Sequence, residues 1–192
     1  MDLAGVELIV TWYLELESRL LSLLRTVNYS AETKSIFLPP LANIVVDTCS
    51  LIDTVFREEY GGPRNKNSAT IVDYGNFYEP RFGFSGMRTL VYQYPPLYMR
   101  PFAAWDGIAG GGDTKLDWWK SYDRLKHNRI EHHQLATLET SLFSLTALFQ
   151  AISQMESFLA SLIRHDLICF GSWNKEYAGQ AVFEEGTDDN SC

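Results

Sequence analysis

The sequence predicts a mainly all-α domain, four helices with one long insertion between the second and the third. Three observations carry this. Residues 3–27 and 39–59 repeat apolar side chains at helical spacing. After Gly112, a span of roughly 57 residues holds neither Gly nor Pro. The stretch between, 61–113, has a different composition, with five of the seven prolines and most of the glycines.

In the first helix, Val6, Val10, Tyr13, Leu16, Leu20 and Leu24 form one stripe, widened by Ile9 and Leu23. Asn28 and Ser30 end it. Pro39 and Pro40 suit the first turn of the second helix, where a missing N–H costs little. Its inward residues are Leu41, Ile44, Val45, Leu51, Ile52, Val55 and Phe56, and Gly61-Gly62-Pro63 stops it. Within 61–113, residues 69–74 and 89–94 are β-prone. The reading is an aromatic-rich loop with a short hairpin, packed on the bundle by its rings. Thr114 and Asp117 have capping-box spacing for the third helix. A single helix from there to Gly171 would reach about 85 Å, against a radius of gyration near ~16 Å for such a chain. The expected break is 131–137.

A chain of 192 residues is one domain, able to bury a core without metal or disulfides. The domain is expected over 1–175, with an acidic, disordered tail at 176–192. Cys49, Cys169 and Cys192 show no metal-ligand spacing, so neither zinc nor another cofactor is expected. The net charge of −8 excludes bulk attraction to nucleic acid or an anionic membrane. A locally basic stretch remains, with Lys115, Lys120, Arg124, Lys126 and Arg129. Asp2 follows Met1 with no basic leader, and no apolar run spans a bilayer, so the expected location is cytoplasmic.

Residues 118–133, WWKSYDRLKHNRIEHH, place charge beside indole rings. Wound as one helix, Trp118, Trp119, Tyr122, Leu125 and Ile130 share a sector with Lys126, Arg129 and His133, and Asp123 and His127 border it. Cations on a buried stripe need carboxylates, a wet cleft or an anionic ligand, because an unpaired buried charge costs several kcal/mol. Glu17, Asp47 and Glu156 fall on or beside the apolar faces of the other helices and are the candidate partners. This polar centre has two uses. One is an ion-pair network that fixes helix register. The other is a site where Lys126, Arg129 and Tyr122 hold a phosphate and His127, His132 or His133 moves protons. The bland reading treats the histidines as solvated helix-end residues and the tryptophans as core.

The helical N-terminal segment, NIVVDTCSLIDTVFR, WWKSYDRLKHNR and ATLETSLFSLTALFQ together resemble HEPN-like bacterial helical proteins. The relevant group carries a W-W-x-x-Y-N/D-x-x-K-H-x-R signature. The resemblance covers about two-thirds of the chain and omits 61–113. It implies a four- to five-helix bundle, often a homodimer, with RNA, a nucleotide or a protein as partner in defence or toxin–antitoxin settings. Some members are metal-independent endoribonucleases, in which an Arg holds the scissile phosphate. A His separated from that Arg by four to six intervening residues transfers protons. Here only Lys126 with His132 or His133 meets that spacing. The resemblance therefore implies a binding or scaffold protein, an endoribonuclease, or a nucleotide or small-anion sensor.

Overall fold

The computed structural model describes residues 1–91, 96–108 and 116–167 in full, and residues 181–183 as backbone. Helix α1 (Leu3–Leu24) starts at Asp2, whose carboxylate accepts the Gly5 N–H at 2.8 Å. Its buried side is the stripe expected from the sequence, Val6 to Leu24. Helix α2 (Pro39–Glu59) opens on its two prolines and buries Leu41, Ile44, Val45, Leu51, Ile52, Val55 and Phe56. It lies along α5 (Leu138–Gln154), with α1 and α4 (Asp117–His127) on the flanks. From Ser144 to Ser153, α5 is buried on every side. Its hydroxyls are accommodated by donating to carbonyls three or four residues back, as Ser144 does to Ser141 and Thr146 to Leu142.

The insertion departs from the sequence reading. Residues 69–74, expected as strand, instead start helix α3 (Ile71–Phe82). Thr70 and Asp73 close a reciprocal capping box, and that local bonding outweighs the β preference of Ile71 and Val72. Pro80 lies in the last turn, and Gly83 at φ 64° ends the helix in left-handed geometry. Strand β1 (Met87–Val91) pairs antiparallel with β2 (Leu97–Met99), Leu90 opposite Tyr98. Its other edge takes β3 (Ala181–Phe183), with Arg88 opposite Val182. Residues 92–95 lie outside the described residues, as do Thr114, Lys115 and the rest of the 176–192 tail.

Rings from the insertion pack around Phe56 of α2. Tyr78 stands 4.8 Å away, Tyr74 5.5 Å, Phe84 6.0 Å, and Phe102 and Trp105 each 6.1 Å. Two hydrogen bonds anchor polar groups at the edge of this cluster, while the Trp105 indole N–H is buried with no partner among the described residues. The Tyr78 hydroxyl donates to the Phe56 carbonyl, and the Trp118 indole donates to the Pro101 carbonyl, both at 2.7 Å. The insertion is thus part of the core.

Two helix ends differ from expectation. Asn128, at φ −147° and ψ 86°, stops α4 three residues before the expected break. Its amide nitrogen donates to the Glu131 carboxylate at 2.7 Å and its amide oxygen accepts the Glu131 N–H at 3.2 Å, a local alternative to helix continuation. The last helical region also divides, at extended Met155, into α5 and the short α6 (Leu159–Arg164). Among the described residues, no helix is long and apolar enough to cross a membrane.

Gly75 lets the loop after β2 close on α3. A Cβ there would meet Trp105 Cε2 at 2.9 Å and would overlap the Ile108 side chain. Gly75→Ala is expected to lower unfolding free energy by about 1–3 kcal/mol, the usual cost of overpacking. Urea denaturation measures it, and an unchanged midpoint contradicts this packing.

Candidate functional site

The early end of α4 decides where its charges go. Trp118, Tyr122 and Leu125 sit at helical spacing and form the buried stripe, whereas Lys126, His127, Arg129 and His133 are exposed. Arg129 and His133 follow the helix and never share its face. The expected inward trio of Lys126, Arg129 and His133 therefore does not form. Arg129 donates to Asn43 Oδ1 of α2 at 2.6 Å. His133 Nδ1 bonds the Ile130 carbonyl at 2.7 Å, and its ring rests edge-on against Phe37. His127 lies 3.7 Å from Asp123, and the half-exposed His132 begins the turn that follows.

The expected carboxylates also disperse. Asp47 is exposed on α2, and the break at Met155 carries Glu156 out of the apolar stripe to the surface. Glu17 alone stays half-buried. It accepts the Tyr13 hydroxyl at 2.6 Å, on the far side of α1 from any of the cations above. Among the described residues, no polar centre joins the helices.

The structure instead gathers two of the sequence candidates, Lys126 and Tyr122, in a surface groove of about 450 Å³ between α2, the start of α3 and α4. Asp53 and Arg57 of α2 form its floor, and Trp119, Lys120, Tyr122, Asp123 and Lys126 of α4 form one wall. The residues opening α3, Thr70 to Val72, form the other. No histidine lines it.

Its charges are unevenly committed. Arg57 pairs with Asp53 one helical turn back, and Asp53 also accepts the Tyr74 hydroxyl at 3.1 Å. Burial raises the Tyr74 phenol above its ordinary range, so it remains a donor. Lys120 pairs with Asp117 at 3.0 Å. Two donors are left over. Arg57 Nε is buried with no hydrogen-bond partner among the described residues. Lys126 Nζ sits 5.5 Å over the Tyr122 ring, and no carboxylate among the described residues pairs with it. The groove thus holds one cation, Lys126, with no carboxylate partner among the described residues, beside Arg57, which Asp53 pairs.

The arrangement follows from local sequence. Lys126 and His127 occupy the last turn of α4 and Asp117 its first, so each charge favours the helix dipole end it occupies. The Lys126 stem runs along buried Tyr122 while its ammonium reaches water. Asp53 and Arg57, absent from the sequence-level candidates, are visible there only as an i, i+4 pair on the border of the apolar stripe.

Among the described residues, no group of three or more His, Cys, Asp or Glu is placed to hold a metal ion. Burial lifts the Cys49 thiol well above its usual range, which leaves it a core residue without nucleophilic character. Comparisons with family models, with curated proteins and with solved structures find no match.

Because Lys126 and Arg129 reach water, Arg129→Ala and Lys126→Ala should each change unfolding free energy by no more than about 0.5 kcal/mol. Chemical denaturation of both variants checks this. A loss several times larger would return the side chains to the interior.

Proposed function

We propose that this chain is a HEPN-like binding protein that takes a nucleotide in the α2/α3/α4 groove. The phosphate rests on Lys126 and Arg57, and the base lies against Trp119. The observation that supports this most directly is the Lys126 ammonium, without a carboxylate partner among the described residues, on the wall of a groove that the Arg57 guanidinium also lines. A lysine binds phosphate as a point charge, and a guanidinium adds a directed N–H. The volume of about 450 Å³ falls in the range of small-molecule sites. Trp119 is half-buried and lines the same wall, offering a ring for stacking.

Binding fits this geometry better than cleavage. An endoribonuclease built on Lys126 and Arg129 with a histidine needs the three groups around one phosphate. Here Arg129 is held on Asn43, His133 on Ile130 and Phe37, and His127 beside Asp123. In the defence or toxin–antitoxin setting that the resemblance implies, a nucleotide-binding member serves as a sensor or as a scaffold regulated by its ligand.

Calorimetric titration with AMP, ADP and inorganic phosphate tests the proposal. Lys126→Ala is expected to weaken nucleotide binding by about tenfold or more, which is 1.4 kcal/mol or more, at an unchanged melting temperature. Added salt should weaken the wild type in the same direction. Absence of binding, or equal binding by the variant, overturns the reading. So does RNA cleavage that disappears in His127→Ala or His133→Ala, which would establish the enzyme instead.

A further inference from the structure

A second site lies on the other side of α1. Tyr13, Glu17 and Leu21 of α1, Thr89 of β1 and Leu145 and Phe149 of α5 enclose a cavity of about 90 Å³. Its walls are apolar apart from one carboxylate, the Tyr13 hydroxyl bonded to it and two threonine hydroxyls. Thr146 spends its proton on the Leu142 carbonyl at 2.7 Å. Thr89 is already engaged, accepting from Gln150 Nε2 at 2.9 Å. Behind it, Gln150 is fully buried and its Oε1 has no partner among the described residues. Thr89 thus keeps its own proton to donate, and Glu17 keeps acceptor capacity beyond the bond it receives from Tyr13.

A carboxylate gains nothing from leucine walls. Burial pushes the Glu17 carboxyl above its ordinary range, and only the Tyr13 hydrogen bond opposes the rise. Among the described residues, Tyr13 is the sole titratable group facing it, since β1 and α5 contribute only threonines and apolar side chains to these walls. A register-fixing pair would account for the Tyr13–Glu17 bond. It would not account for open volume beside that bond, or for an exposed leucine, Leu21, on the rim.

We infer that this cavity binds a small aliphatic ammonium, its charged nitrogen on the Glu17 carboxylate and its short hydrocarbon body among Leu20, Leu145 and Phe149. The cation supplies the counter-charge that Glu17 lacks among the described residues and donates to its carboxylate. A cavity of ~150 Å³ accommodates benzene, so this one takes a body of about four carbon atoms. An anionic ligand would meet a like charge, and an alcohol would leave the carboxylate unpaired.

Calorimetric titration of the full chain with n-butylammonium, butan-1-ol and butyrate at neutral pH and equal ionic strength tests this. The amine is expected to bind at one site about tenfold or more tighter than either analogue. Its affinity should fall as acidification protonates Glu17, over a range above that of an exposed glutamate. Glu17→Gln keeps an acceptor for Tyr13 and should erase the preference for the amine. Leu145→Trp fills the cavity and should abolish binding of all three probes. Equal affinity for the alcohol, an amine preference that survives Glu17→Gln, or no binding of the amine overturns the inference. The nucleotide groove shares none of these residues, so either reading stands if the other fails.

Discussion

Phe56 and the rings packed on it are the constraint on which the rest depends. Without its aromatic side chains, the segment from Gly61 to Ile108 would be a long loop beside a helical bundle. With them, Tyr74, Tyr78, Phe84, Phe102 and Trp105 bury against one face of α2. Aromatic burial on this scale dominates the energetics of a core. It fixes α3 on α2, and α3 in turn closes the groove in which Lys126 and Arg57 stand. The Trp118 indole bond to Pro101 ties α4 to the same cluster. The groove is a by-product of how the insertion is held down.

The charge in WWKSYDRLKHNRIEHH then has a plain explanation. A buried stripe and a cationic C-terminal turn coexist on α4 because they occupy different sides and different ends of it. Asn128 separates the remaining basic residues from the helix. Beyond it, Arg129 bonds Asn43 and His133 bonds the Ile130 carbonyl, while Lys126, on the helix itself, has no carboxylate partner among the described residues.

Much of the helical framework was legible in the sequence, because α1 and α2 bury side chains at strict helical spacing between clear stop signals. The insertion was less legible. Thr70 and Asp73 carried a capping signal, but the neighbouring Ile71 and Val72 favour strand in isolation, and tertiary packing decided between them. The candidate site was misread mainly at helix ends. A helical wheel assumes a continuous helix, and Asn128 is where this helix stops. Everything placed from that wheel beyond residue 127 moved. Asp53 and Arg57 could not be foreseen, since their relevance comes from α3, whose position depends on contacts remote in sequence.

The central claim is that α2, α3 and α4 form one anion-holding groove around Lys126. It is tested most directly by following the indole N–H resonances in a two-dimensional NMR titration with AMP. The account predicts that the Trp119 resonance moves to saturation while those of Trp12, on the outer face of α1, and buried Trp105 stay in place. A titration that moves Trp12 and leaves Trp119 unchanged would contradict it.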